Sequence, residues 1–280
     1  MQAGQESARV ELGGLTFEVG PRALLHPDES LWLAAFASST PGPPALLLEL
    51  RADRPERFGL GELPDAQPAR VEASGESVLV RHRHFCAELL PQHGRGWLYR
   101  TRPPLGLKVA LRVAQAALLP LRGALPLHAA GLDLDGAGLA FFGVSGAGKS
   151  TLAGLAPGPV LSDELVVAGG EPPLLRGSGF WGELGEGRPA APVPLYALFE
   201  LDKQPGLELR QLPATEAFRR LLAVTLVPPQ AEAWRAALDV AGRLAREVPA
   251  WRLGWTPAEP PWSALRSVIG ERRAAQAARP

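Results

Sequence analysis

A chain of 280 residues is long enough for one large domain or two modest ones, each with a real core. Apolar residues make up 46% and charged ones 21%, an ordinary balance for a soluble globular protein. The 29 basic and 29 acidic side chains cancel, so no overall field draws in nucleic acid or anionic membrane, and neither is expected as a partner.

The opening residues, MQAGQESARVELGG, carry neither a basic segment nor an apolar one, and no secretory signal is visible. Every apolar run is broken before the roughly 18–20 residues that a membrane span needs, so a cytoplasmic location is expected. Residues 9 to 100 read mainly as β. Leu15–Val19, Ala45–Arg51, Ala69–Ala73 and Ser77–Leu90 are short runs separated by Gly, Pro and Asp clusters. Within the last run, Val78, Val80 and His82 fall on one face and Leu79, Arg81 and Arg83 on the other. His82, His84 and His93 lack a carboxylate at ligand spacing and read as surface or half-buried histidines, not a metal set. Cys86, the sole cysteine, excludes an intrachain disulfide and reads as a small buried apolar residue.

Leu105–Gly123 is rich in helix formers at helical spacing, with Pro120 ending or kinking the helix. The Pro103–Pro104 pair before it is taken as the domain boundary. This gives a mainly β recognition or assembly domain over 1–103, a nucleotide-binding domain over 104–270 and a tail over 271–280. The second domain opens with Leu125–Leu134, read as one strand running to an Asp135-Gly136 hairpin turn. An almost wholly apolar strand, Gly138–Phe142, follows and leads into GVSGAGKS. Ser150–Leu155 starts a helix that the PGP at 157–159 stops. VLSDELVVAGG (160–170) reads as one buried strand carrying Asp163 and Glu164. Pro192–Lys203 is another core strand, Glu216–Leu226 and Pro229–Val248 are helices, and Val248–Trp255 is a strand again. From Glu271 the Arg-rich tail reads as a fraying helix or disorder.

The chemistry lies in the glycine loop. Gly143, Gly148, Lys149 and Ser150 satisfy G-x-x-x-x-G-K-[ST], with a strand before and a helix after. Glycines let backbone N–H groups turn inward around phosphate oxygens, and the helix N-terminus adds donors and partial positive charge. Lys149 would reach the β- and γ-phosphates, and the Ser150 hydroxyl would ligate magnesium. Only Lys108, Lys149 and Lys203 are lysine, so a lysine here is no generic surface charge. Asp163 and Glu164 interrupt an apolar run where a magnesium-binding or base-acting carboxylate belongs. His128, also set among apolar residues, is by itself a hydrogen-bonded core histidine or a catalytic one. A guanine-reading N-K-x-D is missing, since LDKQ at 201–204 does not match, and neither an L-S-G-G-Q signature nor helicase motifs occur.

The run LPLHAAGLDLDGAGLAFFGVSGAGKSTLAGLA with VLSDELVVA resembles the catalytic domain of HPr kinase/phosphorylase and its stand-alone relatives, some of them peptide-modifying kinases. RGSGFWGELGEGRPAAPVPLYALFELDK looks like the family's glycine and aromatic loop before an apolar strand. The resemblance spans about 124–203, is weaker to 265 and faint before. It implies an α/β (α+β) fold of the HPr kinase and phosphoenolpyruvate carboxykinase type behind the mainly β region. It further implies nucleotide contacts from Gly143, Ser145, Gly146, Ala147, Gly148, Lys149, Ser150 and Thr151. Catalytic roles fall to Asp163, His128 and Lys149, and magnesium to Ser150, Asp163 and Glu164. Glu164 stands where the family has a second aspartate, and only 13 residues separate Lys149 from Asp163, a shortened helix segment. The HPr-recognising signature is not seen. The expected activity is ATP- and magnesium-dependent transfer of the γ-phosphate to a hydroxyl, foremost a serine of a protein or peptide. A small-molecule alcohol kinase and a non-transferring nucleotide switch are the alternatives. A homo-oligomer is compatible with any of these.

Overall fold

The computed structural model describes residues 6–53, 68–100, 102–185, 189–202 and 206–277. It is a mixed α/β protein with two multistranded mixed sheets, and its chain divides into two compact units. The first holds residues 1–122 and 227–236, the second 123–226 and 237–280. The division therefore falls after Arg122, not at Pro103–Pro104.

In the first unit, seven strands form one sheet: β1 (Ala8–Leu12), β2 (Leu15–Gly20), β3 (Leu46–Arg51), β4 (Arg70–Ser74), β5 (Ser77–His82), β6 (Phe85–Leu90) and β7 (Arg95–Arg100). Their order is β1-β2-β3-β7-β6-β5-β4, with β2, β3 and β7 parallel and the other pairs antiparallel. The Ser77–Leu90 run is thus a hairpin. His84 donates its backbone N–H to His82 Nδ1 in the turn (3.3 Å), and His82 stacks on Phe85. Cys86 is fully buried on β6.

Helix α1 (Pro27–Ala35) sits among these strands and was not foreseen. Its start follows from local chemistry: Pro27 occupies the first turn, His26 Nδ1 accepts from the Asp28 N–H, and Glu29 accepts from the His26 N–H. Helix α2 (Leu107–Leu118) keeps an apolar stripe of Leu107, Ala110, Leu111, Ala114 and Leu118 buried, and it ends before Pro120 as expected. It belongs to the first unit. A run of strong helix formers after two prolines looks like a new domain, but the unit is decided by what its buried stripe packs on.

The second unit is built on β8 (Ala124–His128), β9 (Ala130–Leu134), β10 (Ala137–Phe142), β11 (Val160–Ser162), β12 (Leu165–Gly169), β13 (Leu174–Gly177), β14 (Val193–Asp202), β15 (Glu208–Leu212) and β16 (Ala250–Gly254). Its helices are α3 (Lys149–Gly154), α4 (Ala214–Val224) and α6 (Trp262–Ala277), and α5 (Ala231–Glu247) lends its later turns. Two single-strand expectations are corrected. Leu125–Leu134 splits at Ala129 into β8 and β9, and 160–170 splits at Asp163–Glu164 into β11 and β12. The ribbon they form is antiparallel throughout, β9 with β11 and β8 with β12, and the Ala129 N–H bonds to the Glu164 carbonyl at the break.

Because of that break the sheet order β11-β9-β10-β14-β13-β12-β8 doubles back on itself. Glycines allow the two layers to touch: a Cβ on Gly131 would stand 2.7 Å from Val166, and one on Gly138 would stand 3.0 Å from Leu175. The other face of β9, β10, β14 and β16 is covered by α3 and α6 through Phe141, Phe199, Leu152, Leu253, Trp255, Leu265 and Ile269. Asp135 and Gly136, at φ 56° and 80°, make the expected hairpin turn between β9 and β10. The tail is helical to Ala277. Residues 278–280 and Lys203 lie outside the described residues. No described helix is long and apolar enough to cross a membrane.

Candidate functional site

Strand β10 is buried at every residue, so its end is fixed, and the chain leaves it at Gly143. β14 and β16 run parallel to β10, and β11 runs parallel to it two places away across β9. The carboxyl ends of β10, β11, β14 and β16 therefore share one end of the sheet, where open α/β sheets place their ligands. The glycine loop leaves β10 at that end, and Asp163 leaves β11. His128 precedes β9 there too, since Ala130 pairs with Phe141. Two strand spacings, about 9–10 Å, separate β11 from β10.

The loop is drawn tight against the core. Gly146 and Gly148 hold left-handed backbone, φ 71° and 95°, which side chains resist. A Cβ on Gly148 would stand 3.2 Å from the Trp255 ring, and one on Gly143 would stand 3.1 Å from the Leu201 carbonyl oxygen. Ala147 is buried beneath the loop and its N–H bonds to the Val144 carbonyl (3.0 Å). Val144, Ser145 and Gly146 face outward. Ser150 and Thr151 occupy the first turn of α3, a helix of six residues, as the early PGP stop required.

Lys149 is 9% exposed, and its ammonium donates to the Gly143 carbonyl oxygen across the loop (3.1 Å). Burial lowers its pKa, because losing water disfavours the charged form. Among the described residues no carboxylate pairs with it.

Asp163 is not exposed as a strand-end carboxylate would be. It is 2% exposed, and its two oxygens accept backbone N–H groups from Gly182 (Oδ1, 2.8 Å) and Leu184 (Oδ2, 3.1 Å). Ser162 Oγ donates to the Phe180 carbonyl (2.8 Å) and accepts from the N–H groups of Glu164 and Leu165. Ser178 Oγ accepts the Phe180 N–H (3.1 Å). The residues from Ser178 to Leu184 are thus pinned to the 162–165 bend, and Leu184 reaches Gly154 at the end of α3. Each Asp163 oxygen keeps a second lone pair, so the carboxylate can still take a hydroxyl or a cation. The Ser150 hydroxyl and the Asp163 carboxylate are hard oxygen donors, the ligand chemistry that magnesium takes. Glu164 is half-buried beside Asp163, and among the described residues no three His, Cys, Asp or Glu side chains gather as a metal cluster.

His128 is half-buried and lines a cavity of about 380 Å³ together with Phe142, Gly143, Val144, Ser145 and residues of α4. Sequence reasoning missed the charged network at this end of the sheet. Glu200 on β14 bonds Arg220 (3.0 Å) and Arg252 (3.2 Å), and Glu216 bonds the same two arginines (both 3.3 Å). Only the i, i+4 spacing of Glu216 and Arg220 hinted at it. A larger cavity, about 810 Å³, is lined by residues of α4 and α5 and by none of the loop. No protein-family model and no curated protein matches this chain.

Proposed function

We propose that the chain is an ATP- and magnesium-dependent kinase that transfers the γ-phosphate to a hydroxyl, foremost a serine of a protein or peptide. The observation that carries this reading is Lys149, a largely buried lysine whose ammonium meets the Gly143 carbonyl and, among the described residues, no carboxylate. Such a group is costly in water-poor surroundings until an anion arrives, and a phosphate supplies that anion. The resemblance of residues 124–203 to HPr kinase catalytic domains supports the same reading.

Backbone N–H groups of Ser145, Gly146, Gly148, Lys149 and Ser150 and the Lys149 ammonium would hold the phosphates, as such loops do, while the Ala147 N–H is taken by the Val144 carbonyl. Ser150 and Asp163 would hold a magnesium ion, which would supply positive charge to offset that of the phosphates. The acceptor oxygen forms a bond to the γ-phosphorus as the bond to the bridging oxygen breaks, ADP departs, and the hydroxyl proton passes to Asp163 or His128. Positioning dominates this chemistry, and Asp163 is well positioned by its two backbone donors.

Those same donors favour a second reading. A carboxylate spent on anchoring residues 180–184 suits a nucleotide switch that transfers nothing. Asp163→Asn decides between them. It replaces one acceptor by an NH₂ group facing an N–H, and it removes the charge. In a kinase, transfer from γ-labelled ATP into serine peptides falls about 10²–10⁴-fold while the ATP-induced rise in Tm largely remains. Wild-type protein that binds ATP with magnesium yet labels neither peptides nor small alcohols excludes the kinase and leaves the switch.

A further inference from the structure

The cavity beside the loop has features that nucleotide binding leaves unexplained. Its floor is Phe142, the buried last residue of β10, and its α4 side is Ala223 and Val224. Its rim carries Val144, 72% exposed, and Leu226, 37% exposed. Its polar groups are His128, Ser145 and the Glu200–Arg220 pair. At about 380 Å³ it falls within the roughly 300–1,000 Å³ of small-ligand sites.

The orientation of Lys149 says which end of a nucleotide the cavity would face. Its ammonium lies at the Gly143 carbonyl, and a lysine at this position of such a loop serves the β- and γ-phosphates. The terminal phosphate then comes to the Gly143 end of the loop, and Gly143 lines the cavity. An acceptor attacking in line approaches from that side. The charges at the rim call for no anion, since Arg220 and Arg252 share Glu200 and Glu216. Selection is left to the apolar lining.

We infer that this cavity is the acceptor subsite and that it selects an apolar side chain next to the hydroxyl that receives the phosphate. This rests on the kinase reading above. His128 lies within the same lining, beside where that hydroxyl would enter.

The test uses the full chain with magnesium and a non-hydrolysable ATP analogue. Fluorescent peptides share one serine and carry Leu, Val, Asp or Lys beside it, and binding is read by anisotropy. Wild-type protein is expected to hold the Leu and Val peptides about 10- to 200-fold tighter than the Asp peptide. Ala223→Trp fills the cavity from an exposed position on α4, so the fold survives, and the preference should vanish while the Tm rise with ATP and magnesium stays. Leu226→Asp, at the rim just past α4, should also reduce the preference. Equal binding of all peptides, no binding of any, or a preference that both variants leave intact overturns the subsite. Transfer of label from γ-labelled ATP to the preferred peptide is scored separately. A preference that depends on the cavity, without transfer, sustains the subsite and overturns only the kinase.

Discussion

In the first unit the guanidinium of Arg100 and the carboxylate of Glu29 are both buried, and they are bonded to each other. Arg100 also donates to the Leu24 carbonyl (2.6 Å), and Glu29 accepts the His26 N–H (2.9 Å). In the second unit Lys149 is largely buried as a residue, and its part-buried ammonium meets, among the described residues, the Gly143 carbonyl oxygen and no carboxylate. A buried charge with its complement nearby ties elements together, here β7 to α1. A buried charge without one raises the free energy of the empty site, and it gives that back when an anion binds. The difference separates an internal fastening from a binding device.

Removing a partner should therefore act oppositely in the two places. Arg100→Met leaves the Glu29 carboxylate buried and unpaired, so urea unfolding should show a loss of about 3–5 kcal/mol. Nucleotide affinity, measured where the variant is still native, should not change. A loss below about 1 kcal/mol would mean that the pair is solvated and the contrast with Lys149 is false.

Lys149→Met should do the reverse. A lysine whose folded pKa lies below its unfolded value costs stability at every pH under the folded value, and the cost is relieved as pH rises from the folded to the unfolded value. At neutral pH the neutral methionine removes that cost, so the unliganded variant should melt no lower than wild type. ATP with magnesium at a hundred times its Kd adds about 2.7 kcal/mol to the native wild-type protein, and nearly all of it should be lost in the variant. A variant that melts lower without nucleotide, yet keeps the shift, makes Lys149 another fastening.

These two sites were not equally legible in the sequence. The glycine loop was, because its constraints are local: Gly146 and Gly148 need left-handed backbone, and Lys149 stands at a fixed offset after an apolar strand. The breaks at Ala129 and at Asp163–Glu164 were not, since no Gly or Pro stands at either and the apolar residues resume directly after each. Their cause is the doubling back of the sheet, a property of the whole unit. The anchoring of Asp163 joins residues 19 and 21 positions apart, which no periodicity encodes. Helix α1 was readable in principle from His26-Pro27-Asp28-Glu29, a start signal hidden by strands on both sides. The Arg100–Glu29 pair spans 71 positions, and only the folded chain brings it together.

The smallest effect probes how closely the second unit holds its loop. Gly136 and Gly148 both have left-handed backbone, φ 80° and 95°. A Cβ on Gly136 meets nothing within 4 Å, whereas one on Gly148 comes within 3.2 Å of the Trp255 ring. Gly136→Ala thus carries only the conformational cost, about 1 kcal/mol. Gly148→Ala carries the same cost and must also displace an indole locked between the loop and α6, so it should reach about 2 kcal/mol. Urea unfolding of the two variants, each repeated with Trp255→Leu, isolates the excess as a double-mutant coupling. If the indole sets the height of the loop, Trp255→Leu brings the Gly148→Ala cost down to that of Gly136→Ala. Equal costs with Trp255 in place would show that the loop yields freely and that the core beneath it does not shape the site.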